Sequence, residues 1–424
     1  MTPNTQQREI LVYAHWQGLP DPILMGVLKA TQSRNKEIFS FEYDRKWLSS
    51  EYSRLMDPDL QLFSGPQYLN DEKSNFGIFL DSSPDRWGRL LMRRREAITA
   101  KTENRKEKKL MESDYLLGVY DGHRMGALRF KEDKRGSFLD NNKKMASPPW
   151  ALLRELENAS LQLEREDVAN DPEYLKWLNL LIAPGSSLGG SRPKAGVIDT
   201  ENNLWIAKFP SRYDDKDMGA WEMVINELAI KAGLNISVGM AQKFSGRHHT
   251  YLTKRFDRTD NGERIHFASA MTLLGYTDGK DSDDGISYLE LAEFLIQNGA
   301  NVNKDLEELW RRIVFNICVT NTDDHLRNHG FILTPQGWIL SPAYDINPVE
   351  TGTGLKLNIS DSDNSLDLDL AREVSVYFRV NDERSEEIIE IVKNSLKVWR
   401  EVSKKYGISK AEQDLISSAF TQAY

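Results

Sequence analysis

The stretch "VTNTDDHLRNHGFILTPQGWILSPAYDINP", residues 319–348, sets carboxylates, two histidines and several amides between apolar segments. Asp323 and Asn328 stand five apart, and Asp345 lies inside an apolar Tyr-Asp-Ile. The intervening "HGFILTPQGWIL" reads as a hairpin that brings Asp345 back toward Asp323. By itself "NTDDH" also reads as a capped turn after the helical "LWRRIVFNICV", because Asp and Asn cap helices and build turns. The choice depends on what the rest of the chain supplies.

The chain has 424 residues, more than one hydrophobic core usually organises, so two or three domains or lobes are expected. A composition of 40% hydrophobic and 28% charged residues is that of a folded, water-soluble protein rather than a disordered one. No run approaches a membrane span, and the N-terminus lacks the basic start and apolar core of a secretory signal, so a cytoplasmic location is expected. Cys318 is the single cysteine, which excludes an internal disulfide and a cysteine-based metal cage. A net charge of -9 argues against binding nucleic acid through the whole surface and leaves a basic patch or a basic partner as the route. Between Arg86 and Lys109 ten basic residues face three acidic ones, either a partner surface or a solvated helix face.

Periodicity divides the chain. The first 130 or so residues alternate as strands, with a helix in "SSPDRWGRLLMRRREAI" whose N-cap is expected at Ser83. The polar segment 131–149 reads as a boundary, and "KAGVID-TENN-LWIAKF" as a hairpin followed by a helix in "GAWEMVINELAIKAGL". Helices dominate from about residue 285 onward. The expected division is 1–133, a small sheet plus helix; 150–260, a nucleotide-binding portion; and 261–424, a helical lobe.

Phosphoryl transfer to a hydroxyl needs a group that accepts the nucleophile's proton and oxygen ligands that hold Mg²⁺ on the phosphates. Kinases supply these as Asp-x-x-x-x-Asn and a later Asp, the spacing of Asp323, Asn328 and Asp345. Upstream, "PGSSLGGSRPKAGV" (184–197) offers a Gly-rich loop with Gly185, Gly189 and Gly190 beside Ser186 and Ser187; it is not a Walker A, since Ser191 stands where Lys is required. Lys208 in "LWIAKFP" occupies the position of a phosphate-gripping strand lysine, and Glu222 on the next helix is its candidate partner. Each element alone is weak, since glycine loops are often turns and strand lysines and helix glutamates are often solvated. Their order, loop, Lys, Glu, Asp-x4-Asn, Asp, matches the order of parts in protein kinases. A rival reading places His325 and His329, four apart, on one metal with Asp323 or Asp324, as in a metal-dependent hydrolase. Leu326 stands where a zincin has its Glu base, and the rival leaves Lys208 and the glycine loop unexplained.

Taken together, "GSSLGGSRPKA", "LWIAKFP", "WEMVINELAIKAGL", "KRFDR", "NTDDHLRNHGF" and "AYDINP" resemble the HipA family of bacterial toxin-like serine/threonine protein kinases. "FEYDRKWL" and "SPDRWGRLLM" resemble that family's N-terminal subdomain. The resemblance implies an α+β, two-lobed, protein-kinase-like fold: a mixed, β-rich N-terminal lobe with an extra subdomain, and a helical C-terminal lobe. It implies ATP and Mg²⁺ as cofactors, Asp323 as catalytic base, Asn328 and Asp345 as Mg²⁺ ligands, and Lys208 as phosphate-binding lysine. His325 would lie near the phosphates, with Gly189 and Gly190 covering them, and the backbone of Lys254 and Phe256 would meet adenine. Ser187, or its neighbour Ser186, would be an inactivating autophosphorylation site. Implied partners are a protein substrate, which for founding members is an aminoacyl-tRNA synthetase, and a small helix-turn-helix antitoxin (HipB-like) through which DNA is contacted indirectly. A kinase-fold corepressor acting through that partner is the non-enzymatic alternative. The Arg-Pro pair after the glycine loop, Arg192-Pro193, marks one branch of the family and is absent from the founding toxins.

Overall fold

The computed structural model describes residues 7–33, 36–69, 73–165, 168, 171–182, 192–244 and 246–424. The chain forms two compact units: one holds the residues up to Arg212 together with Asp257–Ala268 and Gly275–Thr277, the other Tyr213–Phe256, Ser269–Leu274 and Asp278–Tyr424.

The first unit opens with an antiparallel sheet of β1 (Gln7–Ala14), β2 (Ile23–Ser33), β3 (Lys36–Tyr43), β4 (Gln67–Tyr68) and β5 (Leu128–Lys131), in the order β4-β3-β2-β1-β5. Strand alternation sends Ile10, Val12, Leu28, Ala30, Phe39, Phe41 and Phe130 to one buried face. The helix Gly77–Asp81 adds Phe79, whose ring centroid lies 5.5 Å from that of Phe41 and 6.1 Å from that of Phe130. Edge contacts of this kind contribute beyond the area they bury. The helix Arg86–Thr102 is capped by Asp85, whose carboxylate accepts from Gly88 N at 2.8 Å. Ser83 is not the cap: its hydroxyl turns back to the Phe79 carbonyl at 2.8 Å and closes the preceding helix instead. Much of the basic run on and after this helix is matched locally, Arg89 by Glu112, Arg105 by Glu96 and Glu103, and Lys108 by Asp114.

Arg124 is fully buried and donates to the carbonyls of Ser82, Leu116, Val119 and Leu139, which satisfies a charge that burial would otherwise penalise. The returning segment 257–268 joins the same region: Asp257 accepts from Gly126 N at 2.8 Å and Arg258 donates to the Arg124 carbonyl at 2.7 Å. The hairpin Lys194–Ile198 and Leu204–Lys208 has the expected antiparallel register, with Lys194 opposite Lys208.

The second unit is built around the helix Val302–Val319, which is buried on every side from Leu309 onward and so forms the centre rather than a surface of its bundle. The helices Tyr288–Asn298 and Asp382–Leu396 belong to the same unit, and the Trp310 indole donates to the Ala371 carbonyl at 2.9 Å. The expected hairpin between the two parts of the opening motif is present as Gly330–Thr334 and Gly337–Leu340. The helix Met218–Lys231 is capped by Asp217 and closes at Gly233, whose φ of +78° suits glycine.

Candidate active site

The central helix stops at Thr320, a left-handed residue (φ 52°) whose hydroxyl donates to the Ala419 carbonyl at 3.0 Å. A β-branched residue rarely adopts this conformation, and here it turns the chain out of the helix into residues 321–328. Asp323 projects to solvent, whereas its neighbour Asp324 is buried. Asp324 Oδ2 accepts from the Tyr288 hydroxyl, from Asn316 Nδ2 at 2.8 Å and faces His329 Nε2 at 2.8 Å. Burial opposes the charge of this carboxyl, but His329 and the hydrogen bonds from His329 and Tyr288 outweigh it and hold the group below its ordinary range. It is a fixed negative anchor beneath the loop.

Asn328 is buried at the end of a short 3-10 turn, and its Nδ2 donates to the Asp323 carbonyl at 3.0 Å. That bond fixes which way the carboxamide points and leaves Oδ1 without a hydrogen-bond partner among the described residues. His325 caps the same turn; its Nε2 lies 3.5 Å from Arg327 Nη2 and its Nδ1 is buried without a hydrogen-bond partner among the described residues. Arg327 is in turn held by Asp278 at 3.1 Å.

Asp345 has φ 60°, a second strained position in this motif. The residues around it are tied down: the Tyr344 hydroxyl donates to the Arg327 carbonyl at 2.8 Å, and Asn347 N donates to Asn321 Oδ1 at 3.3 Å. Glu222, on the helix Met218–Lys231, is buried, and its charge and that of Asp345 both act on the phenol of Tyr251. Burial first, then Glu222, pushes that phenol well above its ordinary range, with Asp345 adding to the effect. Lys254 ends the strand Thr250–Lys254, its N–H bonded to the Val238 carbonyl at 2.9 Å, and the Phe256 ring lies 5.8 Å from that of Tyr344.

The second unit thus gathers Asp323, His325, Asn328 and Asp345 into one hydrogen-bonded assembly and also contains Glu222, Lys254 and Phe256. Lys208 belongs to the first unit, half-buried at the end of its strand. Gly185, Ser186, Ser187, Gly189 and Gly190 lie outside the described residues. His329 does not share a metal face with His325 in the way a hydrolase would need: its Nε2 is directed at Asp324 and its ring stands edge-on to Tyr288 at 5.6 Å. Among the described residues no group of three or more His, Cys, Asp or Glu could hold a metal ion. An Asn and an Asp fit Mg²⁺ all the same, because that ion keeps waters and takes one or two protein ligands plus substrate phosphates.

Four residues of the assembly have no role in the motif reading: Tyr288, Asn316, and Asn321 and Asn347, which lie inside the quoted motifs themselves. Asn316 left a trace in the sequence as a carboxamide inside the apolar run "IVFNICV". In the first unit, apart from this assembly, Lys194 forms a buried ion pair with Asp85 at 2.9 Å.

The α+β arrangement is that of a kinase-like fold. The family model described as the HipA-like C-terminal domain matches residues 186–399, and the chain belongs to that family. A putative kinase of Haemophilus influenzae is 25% identical over 178 residues, 38% of this chain and 52% of its own length. The serine/threonine-protein kinase toxin HipA of Shewanella oneidensis is 27% identical over 192 residues, 39% of this chain and 44% of its own. The chain therefore matches about half the length of these curated relatives. The solved structure of the Shewanella oneidensis HipA, HipB and operator DNA complex superposes with a TM-score of 0.64, covering 98% of this chain and 95% of that one at 17% identity, a likeness of fold. Among the described residues no helix is long and apolar enough to cross a membrane.

Proposed function

We propose that the protein is an ATP- and Mg²⁺-dependent serine/threonine protein kinase of HipA type. The observation that carries this reading is the contrast within the loop: an exposed Asp323 on a backbone clamped by Asn328, above a buried Asp324 whose Oδ2 meets three partners. Asp323 accepts the proton of the substrate hydroxyl as that oxygen attacks, a role that needs an accessible carboxylate on a rigid support. Asn328, with Oδ1 turned away from its own hydrogen bond, and Asp345 supply oxygen ligands to the cation. Lys208 grips the phosphates, His325 lies beside them, and the backbone at Lys254 and Phe256 meets the adenine. The magnesium–nucleotide complex, when bound, supplies the transferable phosphoryl group and the charge that steadies it.

The same reading assigns Ser187, with Ser186 as the alternative, as an autophosphorylation site that shuts the enzyme off, since a phosphate of nearly two negative charges repels the nucleotide phosphates. It assigns a protein target of the aminoacyl-tRNA synthetase kind and a small HipB-like DNA-binding partner, the toxin and antitoxin of one module. The name and the complex of the Shewanella oneidensis relative support the partner. The test is intact mass after incubating wild type, Asp323→Ala and Ser187→Ala with Mg-ATP. One added phosphate in wild type, absent from both variants, is expected; no gain in wild type shown to be unphosphorylated at the start overturns the reading.

A further inference from the structure

Two buried carboxamides to which the kinase reading gives no role connect the halves of its motif. Asn316 and Asn321 are nearly inaccessible. Asn316 Nδ2 donates to Asp324 Oδ2 at 2.8 Å, Asn321 Nδ2 donates to Asn316 Oδ1 at 3.1 Å, and Asn321 Oδ1 accepts from Asn347 N at 3.3 Å. The Asn321 N–H also bonds the Asn316 carbonyl at 2.9 Å. The chain of bonds has only one polarity. An ionised carboxylate accepts and cannot donate, so Asp324 fixes the Asn316 amide with its nitrogen inward and its oxygen toward Asn321. Asn321 must then present its own nitrogen to Asn316 and its oxygen to Asn347. Flipping either amide sets acceptor against acceptor in a dry environment, where an unmatched polar group is costly.

We infer that Asn321 is a positioning residue that sets the magnesium-binding Asp345 relative to the Asp323–Asn328 loop, an inference that rests on the kinase reading. Its partner Asn347 is two residues from Asp345, and Asn347 Nδ2 lies 3.5 Å from Asp345 Oδ1. Asp324 adjoins Asp323. The relay therefore spans from the anchor of the proton acceptor to the strained backbone that carries the metal carboxylate. A group that orients a ligand from behind typically changes metal affinity about 10- to 100-fold when removed.

The test measures binding of a fluorescent ATP analogue, by anisotropy, across a magnesium titration. The proteins are wild type, Asn321→Ala, the nearly isosteric Asn321→Asp, and Ser403→Ala as a structural control. Ser403 is buried on the helix Trp399–Lys405 and donates to the Trp399 carbonyl at 2.7 Å, away from the loop in sequence. Both Asn321 variants are expected to need about tenfold more magnesium for half-maximal binding, with nucleotide affinity in the absence of magnesium unchanged. Asn321→Asp keeps the acceptor for Asn347 but faces Asn316 Oδ1 with a second acceptor, so the shift in it reads polarity rather than volume. Asn321→Ser stands in for the alanine variant if that one does not fold. A magnesium requirement unchanged in the folded Asn321 variants, or raised equally in Ser403→Ala, overturns the inference and leaves the kinase reading intact. Wild type that binds the analogue without any magnesium dependence overturns both.

Discussion

Asp323 and Asp324 are consecutive carboxylates with opposite surroundings, one open to solvent and one buried in hydrogen bonds. Asp323→Ala should lower phosphoryl transfer by about 10²-fold or more with its melting temperature unchanged, because the side chain is exposed; a calorimetric scan beside a phosphorylation assay checks both. A separate titratable residue in the first unit should contribute to the pH dependence of stability. Asp57 is buried, and its oxygens accept from Asp59 N at 2.9 Å and Ile78 N at 3.1 Å. Burial nevertheless dominates and pushes its carboxyl up to about 6. The folded state then holds the proton more tightly than the unfolded one, whose carboxyl titrates near 4. The stability from this group is fully present below about pH 4 and is lost as pH rises through about 6. The loss is on the order of 3 kcal/mol. Urea melts of wild type and Asp57→Asn between these limits should differ by that slope, since the opposite contribution of the buried His266 imidazole, which burial holds down at about 4, is common to both; parallel curves would sink the assignment.

At the level of elements, the loop after Asp345 passes so close to the 321–328 loop that a side chain at Gly352 would run into Thr322. A Cβ at Gly352 would lie 2.1 Å from Thr322 Cγ2. Gly352→Ala should displace one segment or the other and reduce activity by up to about 10²-fold, since small misplacements of reacting groups are costly. Adding Thr322→Ala, which removes the two nearest of the clashing atoms, should restore part of it; failure to do so would mean that the glycine matters for another reason. The helix Arg86–Thr102 offers a stability test. Asp85 both caps it and pairs with the buried Lys194. Asp85→Ala should therefore cost about 3 kcal/mol, more than a cap alone, because a buried ammonium loses this carboxylate as well. Chemical denaturation measures it.

For the molecule as a whole, the chain is not divided at a single cut. The first unit recovers residues 257–268 after the chain has entered the second, and Asp257, Arg258 and Arg264 bond to the loop around Asp121 to Gly126. A fragment ending at residue 212 lacks these groups and leaves Gly126 N, a buried donor, without its carboxylate. That fragment should lose a cooperative thermal transition, and supplying residues 257–268 by extending it to 277 should restore it; a sharp, high melting transition in the short fragment would show that the returning segment is dispensable.

The sequence by itself determined many of the elements and the order of the candidate residues. Strand alternation marked the first sheet, the hairpin ending at Lys208 followed from two β-prone runs around a polar turn, and Asp323, Asn328 and Asp345 stood out by spacing alone, a local property that needs no knowledge of packing. Capping was harder: Ser83 and Asp85 are both good caps, and only the position of the preceding helix decided that Ser83 bonds backward. Tertiary structure alone decided which of two adjacent aspartates faces water, since burial comes from Tyr288, Asn316 and His329, distant or differently phased in sequence. It also decided the amide relay through Asn321, because each bond joins residues whose separation carries no periodic signal. Hydrophobic pattern reports which face is dry; the pairing of polar groups inside depends on directions that exist only once the chain has folded.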